Sequence, residues 1–272
     1  MLTTILSLLS YRYIEEPLSK LVNVKKQLVI IIGTAVIASF MCLASYHIYQ
    51  HAGVVRDVPE LNVYKNNVHR GMHAEYCDRP YKWDKEFEND GRIKVLVLGN
   101  SFGRDWANVL YEWDEGKIIN ISYLYYNEKA LNDHINRVEE ADIIFYASGP
   151  GFDALPEYLN VYKDKLYVIG NKNYGQSNGI IYAHRFSENY FEQTVEINEE
   201  LLSNNSTDEI RFGDRYISMM LPVMVDEIHA RVFTDDHKFI SQDCRHLTQA
   251  GAQYYARILN IDKLLHLEAD TL

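Results

Sequence analysis

Three cysteines in 272 residues are too few for a disulfide scaffold, and positive charge is in deficit, with 27 Lys and Arg against 38 Asp and Glu. The resulting formal charge of −11 argues against a nucleic-acid partner, which needs a basic face. Metal and nucleotide signatures are missing too. There is no Cys-x-x-Cys, no Asp-rich calcium loop, no Gly-x-Gly-x-x-Gly and no Gly-Lys-Ser/Thr, so no metal or bound nucleotide is expected. Wholesale disorder is excluded by a hydrophobic share of 47% beside 24% charged residues. The 21 tyrosines suit sugar rings as well as they suit an ordinary core, so composition does not choose between those.

One stretch lacks charge altogether. From Gln27 to Gln50 there is no Asp, Glu, Lys or Arg, and the run predicts a single membrane-crossing helix. The absence of a polar face counts against a buried soluble helix. Lys20, Lys25 and Lys26 precede the run and only Arg56 follows closely, so the positive-inside rule puts the N-terminal side in the cytoplasm and the rest outside. The late start, the length and the missing Ala-x-Ala exit favour an anchor over a cleaved signal. Ahead of it, MLTTILSLLS reads as the stub of another membrane helix, left through Tyr11-Arg12-Tyr13-Ile14-Glu15-Glu16-Pro17-Leu18. The chain thus divides into 1–26, a spanning helix 27–50, a polar linker 51–90 and a domain 91–272.

Within that domain strands and helices alternate. Strands are expected at Ile93–Leu98, Ile118–Tyr125, Asp142–Ala147 and Lys165–Ile169. Helices are expected at Arg104–Trp113, Glu128–Glu140 and Thr248–Leu265, the last with Thr248 as N-cap. The rhythm predicts an α/β fold, a parallel sheet covered by helices, with ligands beyond the carboxyl ends of the strands.

Ser101 falls at one such end. It follows Gly99-Asn100, and a serine hydroxyl needs a base within hydrogen-bond reach before it attacks anything. His246 is the candidate base and Asp243, with two residues between them, the candidate orienting carboxylate. The backbone N–H groups opening the next helix suit a developing oxyanion. A rival set, Asp235-Asp236-His237, reads as a solvated turn. Lys172 and Asn173, after the fourth strand, read either as acceptor contacts or as a polar strand-end loop. Cys77 and Cys244 leave two readings open: a bridge pinning the early loop beside the catalytic turn, or two unpaired thiols.

At these residues the chain resembles the SGNH hydrolase-like domain attached to acyltransferase-3 membrane O-acyltransferases. The likeness lies in Val97-Leu98-Gly99-Asn100-Ser101-Phe102-Gly103, similar to a Gly-Asp-Ser block with Asn for Asp. It lies also in the stretch Phe239 to Ala252 around Asp243-Cys244-Arg245-His246, and in Tyr11-Arg12-Tyr13-Ile14-Glu15-Glu16-Pro17, which looks like the end of the membrane domain. Val168 to Gly175 is similar to those domains as well. The resemblance implies an SGNH-like, flavodoxin-like sheet and catalysis by Ser101, His246 and Asp243. It implies O-acylation, most often O-acetylation, of a surface polysaccharide such as lipopolysaccharide O-antigen, outside the bacterial inner membrane in the periplasm.

In that picture the acyl group comes from acetyl-CoA through a membrane domain of which only the tail is present here, so the chain is expected to be a truncated or split product or to work with a separately encoded partner. The resemblance departs at the oxyanion residues. Tyr125-Tyr126-Asn127 and Gly149-Pro150-Gly151 occupy the places of the usual glycine and Gly-x-Asn. Asn127, Gly149 and Gly151 are therefore the expected oxyanion or substrate contacts, beside the N–H of Ser101. Two other outcomes remain on this reading: a membrane-tethered esterase using the same residues, and a non-catalytic glycan-binding domain.

Overall fold

The computed structural model describes residues 2–20, 24–50, 59–62, 74–125, 128–147, 157–241, 243–265 and 267. The chain forms two units, Met1–Val54 and Val55–Leu272.

In the first unit, helix Leu2–Ser10 passes through a π-helical turn, Tyr11–Glu15, into Glu16–Lys20. Helix Val24–Gln50 follows. Its apolar stretch of 25 residues, Val24–Ile48, rises about 37 Å at 1.5 Å per residue, against roughly 30 Å of hydrocarbon. Among the described residues this is the one helix long and apolar enough to cross a membrane. Val29, Val36, Phe40 and Leu43 on it are exposed, as side chains meant for lipid would be.

The second unit is α/β. Seven strands are described: β1 Ile93–Gly99, β2 Ile119–Tyr125, β3 Ile143–Ala147, β4 Leu166–Ile169, β5 Thr194–Glu196, β6 Tyr216–Ile217 and β7 His229–Arg231. Five form a parallel sheet in the order β2-β1-β3-β4-β6, and β5 pairs antiparallel with β7. The unbroken apolar run of β1 has a direct cause. Val95 and Val97 face one buried cluster and Leu96 and Leu98 the other, so from Val95 to the strand's end every position is buried. The first cluster is roofed by Trp106, Val109 and Leu110 of helix Ser101–Asp114 and by Tyr255 of helix Gln249–Ile258. Leu131, Val138, Leu159 and Phe212 cover the other face.

The order reverses at β1, whose neighbours are the two strands that follow it in sequence. A crevice opens at such a reversal, beyond the carboxyl ends of the strands. Gly99 ends β1 there, and a Cβ on it would lie 2.1 Å from the carbonyl oxygen of Ala147 at the end of β3. Only glycine lets these two strand ends meet.

Three expectations are revised. The described parts of 51–90 pack into the domain: Leu61 and Tyr76 join the first cluster and Phe87 the second, while Phe239 N–H donates to Glu60 O at 2.8 Å. Polar composition suggested a linker because these segments insert single apolar residues between charged ones. The helix expected over Glu128–Glu140 is broken at His134 into Glu128–Asp133 and Ile135–Glu140. The closing helix likewise stops at Ile258, then resumes as Ile261–Leu264 under an Asn260 cap. Helix Glu199–Phe212 and strand β6 were not foreseen, the latter because two residues carry no readable period.

Candidate active site

Ser101 opens helix Ser101–Asp114 directly after β1. Asn100 caps that helix, its side-chain oxygen accepting the N–H of Phe102 at 2.9 Å. The N–H groups of a helix's first turn have no partner within the helix, so the start of this one offers donors beside the serine. Tyr123 of β2 steadies the turn from below, its hydroxyl donating to the carbonyls of Gly99 and Asn100 at 3.2 and 3.1 Å.

The candidate base arrives from the far end of the chain. Asp243 Oδ1 accepts three backbone N–H groups, from Cys244 at 2.6 Å, Arg245 at 2.7 Å and His246 at 2.9 Å. This winds the four residues into a tight turn and leaves Oδ2 for the imidazole: His246 Nδ1–H donates to it at 2.7 Å. That bond fixes the tautomer, so Nε2 is the acceptor, and it takes the Ser101 hydroxyl at 2.9 Å. The turn is anchored behind by Ser241 Oγ–H, which donates to His246 O at 2.8 Å. It then runs into helix Gln249–Ile258, capped as expected by Thr248, whose Oγ1 accepts Gly251 N–H at 2.9 Å.

Burial works to raise the carboxyl pKa of Asp243. The hydrogen bonds from the His246 ring and from the N–H groups of His246 and Arg245 outweigh it and hold the carboxyl well below the usual carboxylate range. Asp243 is therefore ionised at neutral pH, as an orienting carboxylate has to be.

The three residues expected to act together are thus joined in one relay of serine, imidazole and carboxylate. Asn127, Gly149 and Gly151 lie outside the described residues. Lys172 is in a different place from the one an acceptor contact requires. Its side chain is 2% exposed, with Nζ 3.0 Å from Asp105 Oδ2, itself 1% exposed. Burial pushes the Lys172 ammonium down in pKa while Asp105 pulls it back up. Asn173 is half-buried, and its Oδ1 accepts Gly175 N–H at 2.6 Å, bending the loop after β4. It borders a groove of about 680 Å³ shared with Gln176, Glu196 and Asn198.

The bridge between Cys77 and Cys244 is not formed: neither cysteine is in a disulfide. Cys77 is buried with Sγ directed at Leu247 O, 4.0 Å away, so it packs behind the Asp243–His246 turn as a small apolar side chain. The rival Asp235-Asp236-His237 is a surface turn. Asp235 pairs with Arg231 at 2.9 Å, and the His237 ring stacks on Phe191 at 4.1 Å.

Sequence reasoning missed Asp105 and Phe102. A signal existed, since Asp105 lies four positions after Ser101 on one helical face and would be aimed at whatever approaches the serine. Among the described residues no group of three His, Cys, Asp or Glu side chains is arranged to hold a metal ion. Fold and geometry define an α/β protein with a serine–histidine–aspartate relay at the switch point of its sheet. No protein-family model matches the chain, and no curated protein matches it.

Proposed function

We propose that this chain is the SGNH-like acyl-transfer domain of a membrane O-acyltransferase, passing an acyl group, most simply acetyl, to hydroxyls of a cell-surface polysaccharide such as lipopolysaccharide O-antigen. The observation that carries the reading is the 2.9 Å contact between Ser101 Oγ and His246 Nε2, backed by the 2.7 Å contact from Nδ1 to Asp243.

The steps follow from those bonds. Ser101 Oγ attacks the acyl carbonyl as His246 Nε2 takes its proton, and Asp243 stabilises the imidazolium. The tetrahedral oxyanion forms beside the helix-opening N–H groups, with Ser101 N–H the nearest by position in the chain. Collapse breaks the bond to the donor, whose leaving group takes the proton from Nε2. The acceptor hydroxyl then attacks the acyl-serine, gives its proton to Nε2, and Ser101 leaves with that proton. No step needs a metal. Acetyl-CoA enters only as the ultimate donor, through a membrane acyltransferase partner, and the positive charges before the spanning helix favour a periplasmic domain.

A second reading, a tethered esterase, is favoured by exposure: the His246 and Asp243 side chains are 27% and 45% exposed, open enough for water to act as acceptor. Incubating the chain with an aryl acetate and a polysaccharide acceptor separates the two. Acetylated glycan supports transfer, whereas free acetate alone supports the esterase. Failure of a fluorophosphonate to label Ser101 counts against both and leaves a glycan-binding domain.

A further inference from the structure

A buried ion pair is a poor way to gain stability. Each ion costs several kcal/mol to desolvate, and apolar side chains of the same volume serve a core as well. The pair Lys172–Asp105 therefore calls for another reason, and its neighbours supply one. Asp105 Oδ2 meets two groups: Lys172 Nζ at 3.0 Å and the backbone N–H of Leu247 at 2.9 Å. Asp105 rides on the serine's own helix, one turn after Ser101, and Leu247 directly follows His246. One carboxylate oxygen thus ties the nucleophile's helix to the base's turn.

Lys172 Nζ also lies 3.7 Å from the centre of the Phe102 ring, and that ring meets the His246 imidazole edge-on at 6.3 Å. The loop carrying Lys172 is itself bound to the same turn, since Tyr174 N–H donates to Cys244 O at 2.8 Å. Among the described residues, Asp105 Oδ1 and Lys172 Nζ have no aligned hydrogen bond elsewhere. Among the described residues their charges serve this junction.

We infer that Asp105 is a positioning residue for acyl transfer, its carboxylate gripping the Leu247 N–H so that His246 stays in register with Ser101, with Lys172 as the counter-charge that keeps the carboxylate buried. The inference rests on the acyl-transfer reading of the relay. An acceptor at position 105 is the essential element; the charge pair is the means of keeping a strong one in an apolar place.

The test uses two charge-balanced double variants of the full chain in detergent, K172M/D105N and K172M/D105L. Both remove the ion pair, but only the first retains an oxygen for Leu247 N–H. The readouts are the rate of fluorophosphonate labelling at Ser101 and the thermal midpoint. We expect K172M/D105N to label within about threefold of the unaltered chain. K172M/D105L should label at least 30-fold more slowly, about 2 kcal/mol of lost positioning, at a similar midpoint. Equal labelling by the two overturns the inference. Should K172M/D105L not fold, K172M/D105A takes its place, and labelling at the unaltered rate there overturns the inference equally. An unaltered chain that is not labelled sinks the acyl-transfer reading instead. Crystal structures of the two variants then decide the positioning: the Ser101–His246 contact persists in K172M/D105N and opens beyond hydrogen-bond reach in K172M/D105L, and an unchanged contact in both refutes it.

Discussion

Ser101 Oγ and His246 Nε2 are 2.9 Å apart although 145 positions separate the two residues in the chain. The contact exists because β1 delivers the serine to the edge of the crevice while Thr248 starts a helix that packs on the serine's own. Gly251 lets the start of that helix sit against the backbone of Ile240: a Cβ there would lie 2.0 Å from Ile240 O.

Replacing either end of the contact should therefore remove chemistry without removing the fold. Ser101→Ala is expected to abolish fluorophosphonate labelling and to lower acyl transfer by roughly 10⁴-fold or more. Ser101 is half-buried and its hydroxyl bonds only to His246 among the described residues, so the thermal midpoint should hardly move. A variant that retains surface acylation in cells would remove Ser101 from the mechanism.

Asp243→Asn tests the tautomer. An amide at this position leaves the His246 ring free to adopt the Nε2–H form, which has no lone pair for the serine proton. Labelling should fall about 10³- to 10⁴-fold. Retention of labelling within tenfold would show that the Nδ1 contact is dispensable.

The same residue makes a prediction about acid. Its carboxyl is held below the unfolded value of about 3.9, so the folded state binds the proton less readily than the unfolded chain. The stability this contributes is complete above the unfolded value and is lost as pH falls through the lower folded one. The difference in midpoint between the unaltered chain and D243N should be constant above about pH 5 and shrink below about pH 4. A difference that grows on acidification would contradict the sign.

Gly99→Ala forces a methyl against the backbone of Ala147, where nothing can rotate away. We expect a loss of about 2 kcal/mol or more, a fall of about 4–8 °C in midpoint for a domain of this size, together with slower labelling at Ser101. A neutral effect on both would mean the strand ends can part freely.

Removing residues 1–54 should release a folded domain into the aqueous phase, since 55–272 is a unit by itself. Removing residues 1–73 should cost more. It deletes Leu61 from the core, the Glu60–Phe239 backbone bond, and the Lys238 ammonium's 2.9 Å contact to Pro59 O. Equal midpoints for the two truncations would return these residues to the status of linker.

Much of the sheet was legible because β1, β2 and β3 are covered on both faces, and continuous apolar runs such as Val95-Leu96-Val97-Leu98 have few other uses. The serine and the Asp-x-x-His turn were legible because each is a local pattern with a local structural consequence. Lys172 was misjudged for the opposite reason. A lysine in a loop is expected at the surface, and its burial is decided by Asp105, far away in sequence.

A second Asp-x-x-His marks where sequence stops. Asp226-Glu227-Ile228-His229 builds the same turn: Asp226 Oδ1 accepts the N–H of Ile228 at 3.0 Å and of His229 at 2.8 Å, and His229 Nδ1 meets Oδ2 at 2.9 Å. The spacing alone determines that a carboxylate will grip an imidazole three residues beyond it, because both bonds close within four residues. Which imidazole finds a serine depends on the packing of helix Gln249–Ile258 against helix Ser101–Asp114. That packing joins surfaces from opposite ends of the domain, so it belongs to the fold and to no local pattern.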